Sequence, residues 1–139
     1  MTNRQEPAPC TPENPSPALV AIIEDNADIA DLYVKLVQAT GMHVCFIARD
    51  GAEAVEAFRH AGNAPDVLLI DHRMPVKSGL TAMREILATD PSARFIFITA
   101  DEGIKDEAMA AGAKAILRKP AGMKEILDTI KHVLDEAGK

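Results

Sequence analysis

Residues 66–71 read Asp66-Val67-Leu68-Leu69-Ile70-Asp71, four consecutive aliphatic residues closed by a carboxylate. The run has no polar face, which fits a short strand covered by helices on both sides, as strands of parallel sheets are. Two more runs are apolar throughout, at 19–23 and 95–98, and they end in Glu24-Asp25 and Thr99. A further run at 115–117 leads into Arg118-Lys119-Pro120. Strands are expected at 18–23, 43–48, 66–70, 94–98 and 114–118, with the three wholly apolar ones at the sheet centre. The 43–48 run contains His43 and Cys45 and reads as an edge strand.

Helical patterns separate these runs, the signature of repeated βαβ units. Ile29, Leu32, Tyr33, Leu36 and Val37 recur at helical spacing, as do Met123, Ile126, Leu127, Ile130, Val133 and Leu134. Asp50 can cap a helix carrying Val55 and Phe58, with Glu53 completing a capping box. Ser78 can cap one carrying Leu80, Met83 and Leu87, with Thr81 in place of the acid. The stretch 102–111 is the weakest helix, because Gly103 lies near its start and alanines fill its apolar positions, so it is expected to be short or mobile.

A chain of 139 residues suits one domain with a real core. Residues 1–17 hold five of the nine prolines, Pro7, Pro9, Pro12, Pro15 and Pro17, and read as a disordered tail. The Pro9-x-x-Pro12 spacing resembles a polyproline ligand but arises readily in such a stretch. The expected division is therefore a tail at 1–17, a globular domain at 18–136 and a short end at 137–139. The net charge of -6 and the lack of a basic stripe argue against nucleic-acid binding. No signal peptide and no membrane-length apolar run are present, which points to the cytoplasm. Cys10 and Cys45 lack ligand spacing and read as free thiols, Cys45 in the core. His72 has no second histidine or cysteine at ligand spacing and is read as a non-metal residue, while His43, His60 and His132 read as structural or solvated.

Ligands of open parallel sheets bind beyond the carboxyl ends of the strands, where Glu24, Asp25, Asp71, Thr99 and Lys119 all fall. Three carboxylates beside one ammonium repel one another, and a hard divalent cation such as Mg²⁺ relieves that repulsion. With charge neutralised, an Asp71 oxygen could attack an incoming phosphorus in line, Thr99 could hydrogen-bond the added oxygens, and water could reverse the step. Taken singly, each residue has a plainer reading: Glu24 and Asp25 as solvated strand ends, Asp71 as a cap, Thr99 as an ordinary β-branched residue, Lys119 as a surface charge.

The set Glu24-Asp25-Asn26, Asp71-x-x-Met74-Pro75-x-x-x-Gly79, Thr99-Ala100 and Gly112-Ala113 followed by Lys119-Pro120 resembles the receiver domain of two-component response regulators, over roughly 18–136. The resemblance implies a flavodoxin-like doubly wound α/β fold, a five-stranded parallel sheet of order 2-1-3-4-5 with helices on both faces, the strand order that chemotaxis-type receivers share. It also implies that Asp71 accepts phosphate from a histidine kinase or phosphotransfer protein. Mg²⁺ would be held by Asp25, Asp71 and the backbone carbonyl of Arg73, with Glu24 acting at least through water. Lys119 would pair with the phosphoryl group, Thr99 would move toward it, and the Lys119-Pro120 bond would be cis. Such a chain is a signalling switch with self-catalysed phosphorylation and dephosphorylation. It changes its 101–118 face for a downstream protein target or a phosphorylation-dependent homodimer.

Three features depart from the family pattern. Ile116 occupies the position, three before the lysine, where receivers carry Tyr or Phe. Thr99 and Lys119 are 20 residues apart, fewer than is usual, and the deficit falls in 101–111. Arg73 and Asp101 stand two residues after Asp71 and Thr99, where an ion pair across the site is expected. No output domain follows Lys139 in this sequence; if the chain is full length a stand-alone receiver is expected, and otherwise a domain cut from a longer regulator. The alternative is a receiver-like interaction domain that needs no phosphate. An aspartyl-phosphate phosphatase would want Asp-x-Asp after the first strand and a cap domain, and a flavin-binding module would want aromatic residues that are scarce here.

Overall fold

The three apolar runs form the middle of a single parallel sheet, and each strand delivers its last residues to the same edge. In the computed structural model, which describes residues 17–137, the elements run β1 (Leu19–Ile23), α1 (Ala27–Ala39), β2 (His43–Ala48), α2 (Gly51–His60), β3 (Val67–Ile70), α3 (Gly79–Thr89), β4 (Phe95–Thr99), a 3₁₀ turn (Glu102–Ile104), α4 (Lys105–Ala111), β5 (Ala115–Arg118) and α5 (Met123–Ala137). The sheet order is β2-β1-β3-β4-β5, with every pairing parallel. This is the order that the resemblance implies. The proline-rich stretch at 1–16 and its Pro9-x-x-Pro12 spacing lie outside the described residues, as does Cys10.

Side-chain alternation along each strand builds two cores. Ala21, Ile23, Leu68, Ile70, Phe95 and Phe97 face α2, α3 and α4, where Ala54, Met83, Ile86 and Ala108 complete the layer. Val20, Ile22, Val67, Leu69, Ile96 and Ile98 face α1 and α5, meeting Tyr33, Leu36, Val37, Ile126, Ile130 and Val133. Continuous apolar strands therefore serve two layers at once, each fully buried side chain contributing about 1.5–3 kcal/mol.

The expected caps are formed. Asp50 accepts the Glu53 N–H at 2.8 Å, and Ser78 accepts the Thr81 N–H at 3.2 Å. Asn26 caps α1 by accepting the Ile29 N–H at 3.0 Å. The 102–111 stretch is short, as expected: α4 has 7 residues, no side-chain cap, and one buried residue, Ala108. Gly112, with φ of 122°, ends it in a conformation that a side chain disfavours.

One expectation needs correction. Cys45 is half-buried, not a core residue, and its Sγ lies 3.5 Å from the Asn63 carbonyl. The β1–β2 register shifts between Val20 and Ala21, whose partners are Val44 and Phe46. Cys45 is thus the extra residue of a bulge on an edge strand, which turns its side chain away from the packed faces.

The loop after β3 is held tightly. Gly79 must be glycine, because a Cβ there would collide with the Asp71 carbonyl, and its N–H donates to the His72 carbonyl at 2.8 Å. Within the loop Val76 has φ of 68° and is 84% exposed. A β-branched side chain disfavours that conformation, and so little contact cannot compensate it. The loop's anchors impose it: Gly51 N–H donates to the Lys77 carbonyl at 3.0 Å, and Lys77 Nζ reaches both Glu85 oxygens at 2.6 and 2.7 Å. Val76→Asn should therefore raise stability by about 1 kcal/mol. Urea unfolding checks it, and an unchanged or lower midpoint would rule the strain out.

Candidate functional site

Four strand ends meet at one edge. The backbone ties them together: Glu24 N–H donates to the Ala48 carbonyl at 2.9 Å, Asp71 N–H to Ile23 at 3.1 Å, and Lys119 N–H to Thr99 at 3.0 Å. Since β1, β3, β4 and β5 are laid side by side with their carboxyl ends together, the residues that follow them are neighbours by construction. The Lys119-Pro120 peptide is cis.

Lys119 is the centre of the arrangement. Its Nζ donates to Glu24 Oε1 at 2.9 Å and to Asp71 Oδ2 at 3.0 Å. Glu24 and Asp71 are almost wholly buried, at 1% and 6% exposure. Glu24 Oε2 also accepts the Asn26 N–H at 3.2 Å. Burial pushes the Glu24 carboxyl above its ordinary value; the bonds from Lys119 and Asn26 partly offset this, and the Asp71 charge adds to it. Burial works against the Lys119 ammonium, but its bonds to Glu24 and Asp71 outweigh it and hold its pKa above that of an ordinary lysine.

Asp25 stands at the exposed rim. Glu24, Asp25 and Asp71 each offer an oxygen, and these atoms lie within 4.8 Å of one another. Asp71 Oδ1 is buried and has no hydrogen-bond partner. One ammonium faces three carboxylates here, so the donor set is hard, anionic and short of positive charge, and it fits a divalent cation with oxygen preference.

Thr99 closes the other side. It is 2% exposed, and its Oγ1 accepts the Asp101 N–H at 3.1 Å. Asp101 in turn joins the β3 loop: Arg73 Nε donates to Asp101 Oδ2 at 3.3 Å, and His72 Nε2 lies 4.0 Å from the same oxygen. The expected pair across the site is therefore formed. The Arg73 side chain is 77% exposed, so the pair contributes at most about 1 kcal/mol to stability. Its role is positional.

Sequence reasoning missed Tyr33. It is 5% exposed and shares a groove of about 330 Å³ with Ile29, Leu32, Lys119, Pro120 and Ala121. Burial, chiefly, pushes its phenol up to about 12, with the nearby Glu24 and Asp71 charges adding to the effect and Lys119 opposing it. In the sequence Tyr33 is one member of an apolar helical stripe, and only its being the sole tyrosine set it apart.

A parallel 2-1-3-4-5 sheet with buried acids, a threonine and a lysine at its carboxyl edge defines a class. Residues 20–131 match the model of the response regulator receiver domain, and the chain belongs to that family. Among its relatives is the chemotaxis protein CheY of Treponema pallidum, 30% identical over 123 residues that cover 87% of this chain and 85% of that protein. CheY of Bacillus subtilis is 30% identical over 118 residues, covering 84% and 97%. Among solved structures, the CheX–CheY–BeF₃–Mg²⁺ complex from Borrelia burgdorferi aligns with a TM-score of 0.83 at 25% identity, covering 89% of this chain and 94% of that one. The acidic cluster of Glu24, Asp25 and Asp71 fits the phospho-aspartate site of such a receiver. The chain is a signalling switch of the CheY-like kind, and no helix among the described residues is long and apolar enough to cross a membrane.

Tyr33 permits a direct check on the site's surroundings. Its pKa is raised from 10 to about 12, so the stability it contributes is fully present below pH 10 and is lost as pH rises through about 12. Lys119, also raised, loses its contribution in the same alkaline direction. With one tyrosine and no tryptophan, an ultraviolet absorbance titration of the folded protein should show a single phenolate transition near 12. A midpoint near 10 would contradict the burial of Tyr33 beside the site.

Proposed function

We propose that Asp71 is the phosphoacceptor of this receiver, with Glu24, Asp25, Thr99, Lys119 and the Arg73 backbone carbonyl completing its machinery. The observation that carries this reading is the division of the Asp71 carboxylate. Oδ2 is held by Lys119 Nζ at 3.0 Å, while Oδ1 is buried without a partner.

Fixing Oδ2 leaves Oδ1 as the attacking atom and sets its direction. Oδ1 forms the new bond to phosphorus as the bond from phosphorus to the donor's histidine nitrogen breaks, and the electron pair leaves with that nitrogen. Lys119 holds a third N–H beyond its bonds to Glu24 and Asp71, and this can meet a phosphoryl oxygen. Thr99 Oγ1 turns from the Asp101 N–H to donate to another. Asp25, Asp71 and the Arg73 carbonyl would hold Mg²⁺, with Glu24 acting at least through water, and the ion would supply the positive charge that three acids and a phosphoryl group lack. In the reverse direction, water attacks phosphorus opposite Oδ1 and restores the carboxylate. The chain acts in the cytoplasm as a phosphoprotein of a two-component or phosphorelay pathway and passes its signal to a protein target.

The donor is a histidine kinase or a phosphotransfer protein. The groove of Ile29, Leu32, Pro120 and Ala121 beside Lys119 supports this, since it gives a protein donor an apolar footing next to the acceptor. Leu32 is 47% exposed in it.

Incubation with acetyl phosphate and Mg²⁺, followed by intact-protein mass measurement, should show one phosphate adduct on the wild type and none on Asp71→Asn. Because fast hydrolysis would hide the adduct, Mg²⁺-dependent beryllofluoride binding is the second readout; failure of both would favour the phosphate-independent interaction domain. Leu32→Ser should slow transfer from a protein donor about tenfold or more, the effect of losing roughly 1.4 kcal/mol, and leave the acetyl phosphate reaction intact. For the pair across the site, Arg73→Ala and Asp101→Ala should each change the dephosphorylation rate, with the double variant no different from either single one. Fully independent, multiplicative effects would show that the pair does not act as a unit.

A further inference from the structure

We propose that a hollow at the amino edge of the sheet, beside the last turns of α5, binds a small phosphate monoester with a compact apolar body. The inference stands apart from the receiver reading, because the hollow lies at the opposite ends of the strands from Asp71.

The hollow has a volume of about 300 Å³ and is lined by Pro91, Ser92, Arg94, Lys114, Val133 and Glu136. Strand pairing brings its two cations together. Arg94 stands at the foot of β4, where its carbonyl accepts the Leu68 N–H at 2.8 Å, and Lys114 at the foot of β5, where its N–H donates to the Phe95 carbonyl at 2.8 Å. Arg94 comes two residues before Ile96, which packs on the same face of the sheet as Val133 of α5. Ligand pockets span about 300–1,000 Å³, so this one suits a phosphate with a body of a few atoms.

Arg94 is the observation that carries the assignment. Its Nε is buried and has no hydrogen-bond partner. Among the described residues its guanidinium makes one bond, a long one of 3.4 Å from Nη1 to the Ser92 carbonyl. A buried donor without an acceptor is costly, and one poor bond does little to hold the group where it is. Turned into the hollow, Nε and an Nη would present parallel N–H groups to two oxygens of one anion, the geometry in which arginine grips phosphate.

Charge sets the class of ligand. Neither Arg94 nor Lys114 makes an ion pair among the described residues. The acids nearby are engaged elsewhere: Glu136 Oε2 lies 3.2 Å from His132 Nε2, and Asp90 Oδ1 accepts the Ser92 N–H and hydroxyl at 3.0 and 2.6 Å. Two uncommitted cations match the near-dianionic charge of a phosphate monoester at neutral pH better than that of a single carboxylate. Glu136, at the exposed rim, would repel a longer polyphosphate. Pro91 and Val133 offer the ligand's body an apolar wall.

The test titrates phenyl phosphate into the full chain in a phosphate-free buffer with a chelator, which keeps divalent cations away from Asp71. Backbone amides and arginine Nε–H signals are followed by NMR. Phenyl phosphate should shift Ser92, Ala93, Lys114 and Val133 saturably and move the Arg94 Nε–H signal as it gains an acceptor. Phenol and benzoate should bind about tenfold more weakly or worse, as expected for losing a hydrogen-bonded charge. Arg94→Lys keeps the charge but loses the fork, and should also weaken binding about tenfold. Lys114→Gln should weaken it about threefold, within the range of an exposed charge pair. Equal binding of phenol, or shifts spread over cations remote from the hollow, overturn the proposal. So does unchanged affinity in Arg94→Lys or, should that variant lose its dispersed spectrum, in Lys114→Gln. Shifts centred on Lys119 would place the anion beside Asp71 and overturn it as well. Tighter binding of the phosphoserine peptide Ac-Ala-pSer-Ala-NH₂ than of phenyl phosphate would assign the hollow to a modified protein and overturn the small-molecule reading.

Discussion

The Lys119 ammonium holds together three strands that would otherwise present bare charge at one edge. It reaches back across the sheet from the end of β5 to Glu24 after β1 and Asp71 after β3. Two carboxylates that are almost wholly buried would be costly if left unpaired, and a single side chain that meets both is the least expensive solution the topology offers. This constraint dictates much else. Lys119 must directly follow the last residue of a short strand, Gly79 must let α3 begin against the Asp71 carbonyl, and the Thr99 carbonyl must accept the Lys119 N–H. Even so, the pair of bonds leaves the cluster net negative, and this residual imbalance makes the site receptive to a cation and to a phosphoryl group.

The central strands and the cluster were legible because both are local in sequence. A run of four or five residues without polar members, set between helical patterns, fits a strand covered on both faces, and in a parallel sheet the residue that ends it lies at the carboxyl edge. The caps of α2 and α3 followed from Asp50 and Ser78 for the same reason. What was not legible depends on geometry across the sheet. The bulge that turns Cys45 out of the core arises from the register between β1 and β2, which no single run encodes. Tyr33 approaches the site only because α1 lies over β1 on the same face as the start of α5. The left-handed turn at Val76 runs against its own residue's preference and is imposed by anchors at Gly51 and Glu85.

The region after Thr99 differs in character from the rest. α1, α2 and α3 are each capped by a side chain, whereas α4 starts without one and buries little. Its ties are ionic and exposed, Asp101 to Arg73 and Glu107 to Arg84 at 3.1 Å. Such contacts hold a position weakly and exchange easily. A segment fastened in this way, next to a buried threonine that has a second possible partner, is where a two-state switch is least costly to build.

The lone phenol of Tyr33 gives the molecule an optical property of its own. With no tryptophan present, the protein's intrinsic emission comes from one ring, which lies within the electrostatic field of Lys119, Glu24 and Asp71. Any event that redistributes charge among those three groups changes the field at that single fluorophore. The switch therefore carries its own light-based readout, positioned by α1, without a dye or a label.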